Sequence, residues 1–468
     1  MKLLIPVADM QKQSGKWVLE EPLLKVVLKI GLPIAAMQVL SVIYNIVDLF
    51  WLGRYSSEAI AAINASWPTF FLIVSVFGGL FGAGNALVSQ SWGAGRYDYA
   101  VKSTCQLISF AVVAGIPVAL ITALVSPYLL FFITSDPGVY NTALQYIRII
   151  AIGLPFFGVF GAIQSGFISI GRSSLIMKFM VLSNLLNMIL DPIFIFGWYG
   201  LPEMGASGAA LATILSQAVA SLLALLFFLE KGLDGYRPHW SYFKPDLEVY
   251  RKILSIGLPL SGSSFAEASG FYVLAGIIGS MGTKTLSAWG IGDRPFSIIS
   301  IIDAGLLAAC TTIVGQSIGA GDYERARETV KKILLWMVII TSLMVTPMIL
   351  FRREIASIFS PLDAEVAYYA SEFMLYMGPS LITLAVLFVA NSVANGSGHT
   401  KPLMILSMLR LWVLRNLLAY LLGPGPLNLG VRGLWIGMGL SNIVTGLVAL
   451  AWIFSYRWLK PVINIENR

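Results

Sequence analysis

Twelve apolar stretches, each long enough to cross a bilayer as a helix, take up almost all of this 468-residue chain. A hydrocarbon core about 30 Å thick takes roughly 20 residues of helix. The stretches fall near 24–52, 58–90, 104–126, 140–169, 174–198, 206–230, 248–280, 286–316, 328–350, 364–395, 402–422 and 431–456, and are numbered helices 1 to 12. In lipid every backbone N–H and C=O must be bonded within the chain, so a series of this kind predicts an all-α membrane protein. Composition agrees, since 57% of the residues are hydrophobic and 12% are charged, against about a quarter charged in soluble globular proteins. An ordinary water-soluble enzyme, a nucleic-acid-binding protein and a disordered chain are thereby excluded. The longest hydrophilic break, Lys231 to Lys252, reads as a linker and leaves no room for a separate soluble domain.

Orientation follows from the basic residues. Segments on the side of the N-terminus hold 22 Lys and Arg, whereas the opposite connections hold five: Arg54, Lys284, Arg352, Arg353 and Arg432. Both termini are therefore expected in the cytoplasm, with the chain in the cell membrane. The first 22 residues are polar and lack the short apolar core of a secretory signal. Cys105 and Cys310 lie within or beside apolar segments and imply neither a disulfide nor a metal cluster.

An internal repeat sets the architecture. Gln90-Ser-Trp-Gly-Ala-Gly-Arg-Tyr-Asp-Tyr-Ala100 matches Gln316-Ser-Ile-Gly-Ala-Gly-Asp-Tyr-Glu-Arg-Ala326 at seven of eleven positions with an offset of 226. Within one residue, the same offset superposes Gly31-Leu-Pro33 on Gly257-Leu-Pro259, Gly171 on Gly398, and Gly205 to Gln217 on Gly430 to Asn442. Two homologous six-helix lobes are predicted, 23–230 and 248–456, joined by a cytoplasmic linker 231–247 and flanked by cytoplasmic segments 1–22 and 457–468. Six is even, so both lobes enter the membrane in the same sense and a pseudo-two-fold runs along its normal. That arrangement suits alternating access by rocking one lobe against the other.

No Gly-x-x-x-x-Gly-Lys-Ser/Thr phosphate loop occurs, so transport is expected to draw on an ion gradient, a partner or the substrate itself rather than on a nucleotide. The motifs resemble one known family. Gly31-Leu-Pro33 opening helix 1 with Asp48 near its far end, the duplicated Gln-Ser-x-Gly-Ala-Gly loops, Asn187-x-x-x-Asp191-Pro192 in helix 5 and Gly205-Ala-Ser-Gly208 opening helix 6 are similar to the multidrug and toxic compound extrusion (MATE) family. The resemblance runs over roughly 25–455. It implies a two-lobed exporter exchanging organic cations or xenobiotics for protons or sodium. Asp48 with Asp191 resembles the DinF-like prokaryotic and archaeal branch. Glu267 resembles the first carboxylate of the other large branch, but Thr383 to Ala394 in helix 10 holds no acid.

Acids at membrane depth cost at least about 2.5–3.5 kcal/mol each on insertion scales, so each calls for a reason. Tyr44 and Asp48 lie four apart on helix 1, and Asn187 and Asp191 four apart on helix 5, so each pair shares a helix face. If the faces meet, two carboxylates share a site with a phenol, an amide and Thr213. Low dielectric and like charge both disfavour ionisation, and the pair is expected to carry the coupled proton. Static interhelical glue is the plainer alternative. Sodium is another, held by Asp48, Asp191 and Asn187, because carboxylate and amide oxygens suit a hard cation. Their counterparts in the second half fall near Leu274 and Leu417, so the fold itself does not demand acids there.

Pro33 is a candidate bend that transmits protonation of Asp48. Glu267 and Asp303 are candidates for a second-lobe site, with Arg410 or Arg415 available to neutralise either, and Asp293 and Arg294 are expected to compensate each other. Gln38, Gln164, Ser183 and Asn184 are polar at depth and are the candidate substrate contacts. The expectation is a proton-coupled monomeric exporter of amphipathic, often cationic compounds, not an enzyme, with no cofactor and no nucleic-acid partner. A lipid-linked oligosaccharide flippase of related fold is the competitor, disfavoured because only Arg148, Arg294, Arg410 and Arg415 lie in membrane segments. An intramembrane enzyme lacks a clustered catalytic set, and a channel lacks a symmetric ring of pore charges.

Overall fold

The computed structural model describes residues 16–131, 133–134 and 136–463. Twelve long helices carry the fold, and no β-strand occurs among the described residues. The first lobe holds helix 1 (Leu23–Tyr55), helix 2 (Ser57–Gly93), helix 3 (Tyr97–Phe131), helix 4 (Pro137–Ser169), helix 5 (Ser173–Phe196) and helix 6 (Ala206–Lys231). The second holds helix 7 (Leu247–Ser280), helix 8 (Thr283–Ala320), helix 9 (Tyr323–Leu350), helix 10 (Ala364–Ser397), helix 11 (Lys401–Leu422) and helix 12 (Gly430–Phe454). Ten of them are long and apolar enough to cross a membrane by length and composition; helices 2 and 7, each at least as long as most of these, complete the set.

Several helices begin earlier than their apolar cores predict: helix 3 at Tyr97, helix 8 at Thr283, helix 9 at Tyr323. Hydropathy registers only the part in lipid and passes over polar first turns, several of which, at helices 9, 4 and 7, are held by side-chain caps. Asp322 accepts from Arg325 N at 2.9 Å, Asp136 from Val139 N at 3.0 Å, and Asp246 from Glu248 N at 3.0 Å. Two short helices go beyond the sequence reading: Trp17–Glu20 in the N-terminal segment, and Arg352–Phe359 between helices 9 and 10. The expected terminal segments lie partly outside the described residues, which exclude 1–15 and 464–468.

The duplication is written into the contacts between lobes. A Cβ on Gly31 would stand 3.0 Å from the Gly305 carbonyl oxygen, and one on Gly257 would stand 3.1 Å from that of Gly79. These two crossings, helix 1 on helix 8 and helix 7 on helix 2, are equivalent under the 226 offset. Gly93 abuts the Gln316 carbonyl and Gly319 the Gln90 carbonyl in the same reciprocal way. The side chains of these glutamines cross as well: Gln90 Nε2 donates to Gly396 O at 3.0 Å, and Gln316 Nε2 to Ser169 O at 2.7 Å. All of these contacts lie in the helix halves nearer the termini, so the lobes are sealed at that end.

Helix 11 departs from its repeat partner. Leu409–Arg415 is a π turn, with i→i+5 bonding in place of i→i+4. The offset is already 227 at Gly171 and Gly398, and the extra residue raises it to 228, so the counterpart of Asp191 is the buried Ala419 rather than Leu417, which is 48% exposed. The position is apolar either way.

Two ion pairs tie the linker to the first lobe, Lys102 with Asp246 at 2.6 Å and, more deeply buried, Arg172 with Asp234. Arg172 Nε donates to Asp234 Oδ1 at 2.7 Å and Nη2 to Oδ2 at 3.1 Å, with the Asp234 side chain 6% exposed. Burial pushes the Asp234 carboxyl up and the Arg172 guanidinium draws it back down. Removing one partner of a buried pair strands the other charge, at a cost of about 3 kcal/mol. Arg172→Ala is therefore expected to lower the thermal unfolding midpoint in detergent, with Arg172→Lys intermediate because it keeps the charge and loses the two-pronged geometry.

Candidate functional site

Helices 1, 2, 4, 5 and 6 of the first lobe surround a cavity of about 310 Å³. Tyr44 and Asp48 reach it from helix 1, Asn187 from helix 5 and Thr213 from helix 6. The i, i+4 spacing does what the sequence implies: Asn187 Nδ2 donates to Asp191 Oδ1 at 3.2 Å along one face of helix 5. Asn187 Nδ2 also reaches Thr213 Oγ1 at 3.4 Å, and Thr213 Oγ1 shares a hydrogen bond with Tyr44 OH at 3.1 Å. Tyr44, Thr213, Asn187 and Asp191 thus form one continuous network across three helices. Asp48 lines the same cavity and makes no hydrogen bond among the described residues.

Three oxygens in this group are buried without a partner: Asp48 Oδ1, Asn187 Oδ1 and Asp191 Oδ2. Asp191 is fully buried and Asp48 is 8% exposed. An ionised carboxylate held this way is costly, and a proton or a small cation on the free oxygen removes the cost.

A second cavity of about 400 Å³ adjoins the first and shares Phe157, Met180, Ser183, Asn184 and Gln217 with it. Gln38 and Gln164 line this second space. The four predicted substrate contacts therefore converge on one continuous region. Asn184 Nδ2 also reaches Leu40 O at 3.5 Å. The aromatic wall is formed by Trp67, Phe70, Tyr146 and Phe157, with Trp67 edge-on to Phe70 at 5.7 Å and Phe70 edge-on to Phe157 at 6.3 Å. Pro33 lies inside helix 1, two residues beyond the Gly31–Gly305 crossing and about four turns from Asp48.

Glu267 and Asp303 are not brought into this site. Glu267 is held by Arg410, whose Nη2 donates to Oε1 at 2.8 Å. Asp303 is buried at 6% exposure, with Oδ1 unpartnered. Asp293 and Arg294, expected to compensate each other, form no ion pair among the described residues, and both are exposed.

The two-lobed duplication has a match among known proteins. The family model described as MatE matches residues 33–193 and again 259–421. The chain belongs to the MATE family of transporters. Among MATE relatives, the probable multidrug resistance protein NorM of Neisseria meningitidis is 28% identical over 429 residues, covering 90% of this chain and 92% of that protein. The probable NorM of Thermotoga maritima is 26% identical, covering 95% of each chain. A solved structure described as the outward-facing conformation of a multidrug resistance MATE family transporter superposes with a TM-score of 0.85 at 22% identity, covering 95% of this chain and 98% of that one. It shows the same fold.

Sequence reasoning passed over Gln217, which sits where both cavities of this MATE chain meet, and the aromatic wall. Gln217 carried a usable signal, since it is a polar residue at depth at the end of the Gly205–Gln217 repeat. The aromatics carried none, because most aromatic residues in membrane helices face lipid or core.

Proposed function

We propose that this MATE transporter exports amphipathic, often cationic organic compounds in exchange for protons, as a monomer in the cell membrane with both termini cytoplasmic. The observation that carries the reading is the Asp191 carboxyl, sealed from solvent with one oxygen bonded to Asn187 and the other free, beside an aromatic-walled cavity that Asp48 also lines. Substrate occupies the aromatic region, where ring faces favour flat cations. Protons entering from the side opposite the termini neutralise Asp48 and Asp191. Tyr44, Asn187 and Thr213 tune that step through their hydrogen bonds, and Pro33 passes the change to the neighbouring seam as a bend in helix 1. The seal at the terminal end supports an outward-open resting form.

Sodium is the second reading, favoured by three free oxygens from Asp48, Asn187 and Asp191, which are the ligand type a hard cation takes. Efflux of a fluorescent cation from vesicles holding the purified protein separates the two. With protons as coupling ion, a pH gradient alone drives efflux and a sodium gradient alone does not; the reverse result transfers the site to sodium. Asp48→Asn is expected to slow pH-driven efflux at least about tenfold. Equal response of parent and variant would make Asp48 interhelical glue.

A further inference from the structure

The duplication allows the N-lobe cavity to be compared with the second lobe position by position. Ser41, Ser183, Asn187 and Gln217 line that cavity. Gly31 corresponds to Gly257, which carries Ser41 onto Glu267, and Gln217 falls on Asn442. Ser173 Oγ donates to Ile30 O and Thr400 Oγ1 to Ile256 O, each at 2.9 Å, and this equivalence carries Ser183 onto Arg410. The π turn adds one residue to this offset of 227, giving 228, which is also the offset between the ends of the two stretches matching the family, 193 and 421. Asn187 then falls on Arg415. Four neutral polar positions are replaced by one acid, two guanidinium groups and an amide.

The π turn has a direct consequence. Residues five apart diverge on an α-helix, but i→i+5 bonding sets them one above the other, so Arg410 and Arg415 share a face. Each is 3% exposed. Arg410 pairs with Glu267, whose side chain is 40% exposed against 4% for the arginine, and Arg410 Nε has no partner. Arg415 donates to Ser441 Oγ at 3.2 Å and to Asn442 Oδ1, lies 5.9 Å from the Phe271 ring, and has no carboxylate within 4.0 Å among the described residues. Glu267 and Asp293 are the acids whose charge reaches it, and neither touches it. Of the two buried cations only Arg410 bonds a carboxylate, and that carboxylate, Glu267, is far more exposed than the arginine; Arg415 bonds none among the described residues. A planar guanidinium in this position recognises an oxyanion through paired hydrogen bonds.

We propose that Arg410 and Arg415 form an oxyanion site in the second lobe that receives a carboxylate or phosphate group of the transported compound. The two lobes then offer opposite chemistry, and compounds bearing both a cationic aromatic part and one acid group engage both. The role in transport rests on the export reading; the binding does not.

The test is thermal unfolding of the purified full-length protein in neutral detergent with benzoate, with its neutral isostere benzamide, and with inorganic phosphate. Benzoate is expected to raise the midpoint and benzamide to leave it unchanged. In Arg410→Gln and Arg415→Gln the benzoate concentration needed for a given shift rises at least about tenfold. Stabilisation by phosphate and not benzoate supports an oxyanion site for phosphate groups; stabilisation by both extends it to carboxylates. Equal shifts with benzoate and benzamide, no shift with either anion, or a benzoate shift that survives both Gln variants overturns the proposal. Should Arg415→Gln fail to fold, Arg415→Lys keeps the charge and loses the fork, and is expected to weaken benzoate without abolishing it. Failure of the parent to export a rhodamine methyl ester would end the export reading while leaving the benzoate result standing.

Discussion

Asp191→Asn is expected to slow gradient-driven efflux at least about tenfold, while leaving the protein folded and able to bind the dye. The amide is nearly the same shape as the acid, and its oxygen can still accept from Asn187 Nδ2, which donates to Asp191 Oδ1 at 3.2 Å. What the variant loses is the capacity to gain and lose a proton, or to neutralise a bound cation. Static glue predicts the opposite, since a hydrogen-bonded amide holds helices together as well as an acid does. Efflux at the parent's rate would therefore move coupling out of the first lobe. Asn187→Ala separates the pieces further: it strips the donor from Asp191 and the bridge to Thr213, and losing these two hydrogen bonds, at about 0.5–1.5 kcal/mol each, is expected to give a partial loss of rate.

Gly93→Leu and Gly319→Leu are each expected to unseal the end of the molecule that carries the termini. A side chain at Gly93 runs into the Gln316 carbonyl, and one at Gly319 into the Gln90 carbonyl. Both obstacles are backbone, so no rotamer change relieves them and the lobes must part. Overpacking of this kind costs about 1–3 kcal/mol, which shifts the balance between sealed and open forms roughly ten- to a hundredfold. Ser89→Cys reports the shift, because Ser89 is fully buried beside Gly315. The thiol is expected to be inert to a maleimide in the parent background and to react at least about tenfold faster with either leucine present. Gly290 on helix 8 has no neighbour within 4 Å, so Gly290→Ala serves as the control that leaves labelling unchanged. Unchanged labelling in the leucine variants would mean that the seam is not what closes this end.

The features legible in the chain are those that local physics encodes. Apolar runs of bilayer length require helices, because unbonded backbone is excluded from lipid. The repeated Gln-Ser-x-Gly-Ala-Gly motifs, expected as loops and found closing helices 2 and 8, mark the duplication, and helical spacing pairs Asn187 with Asp191 on one face before any coordinate is known. Where reading by periodicity came short, the cause was also local: helix 3 begins at Tyr97 and helix 9 at Tyr323, and polar first turns carry no hydropathic signal.

Sequence therefore settles the class, the repeat and the choice of acids at depth, since each follows from the free energy of placing a residue in lipid. Tertiary structure alone decides which of those acids meet. Asn187, bonded to Asp191 on helix 5, meets Thr213 and through it Tyr44 on helices distant along the chain, whereas Glu267 is taken by Arg410 and Asp303 has no hydrogen-bond partner among the described residues. The π turn at Leu409–Arg415 is likewise invisible to a 3.6-residue period, yet it rotates Arg415 onto the face of Arg410. Lateral packing between helices sets these pairings, and it is fixed by side-chain shape at their crossings rather than by the periodicity of any one helix.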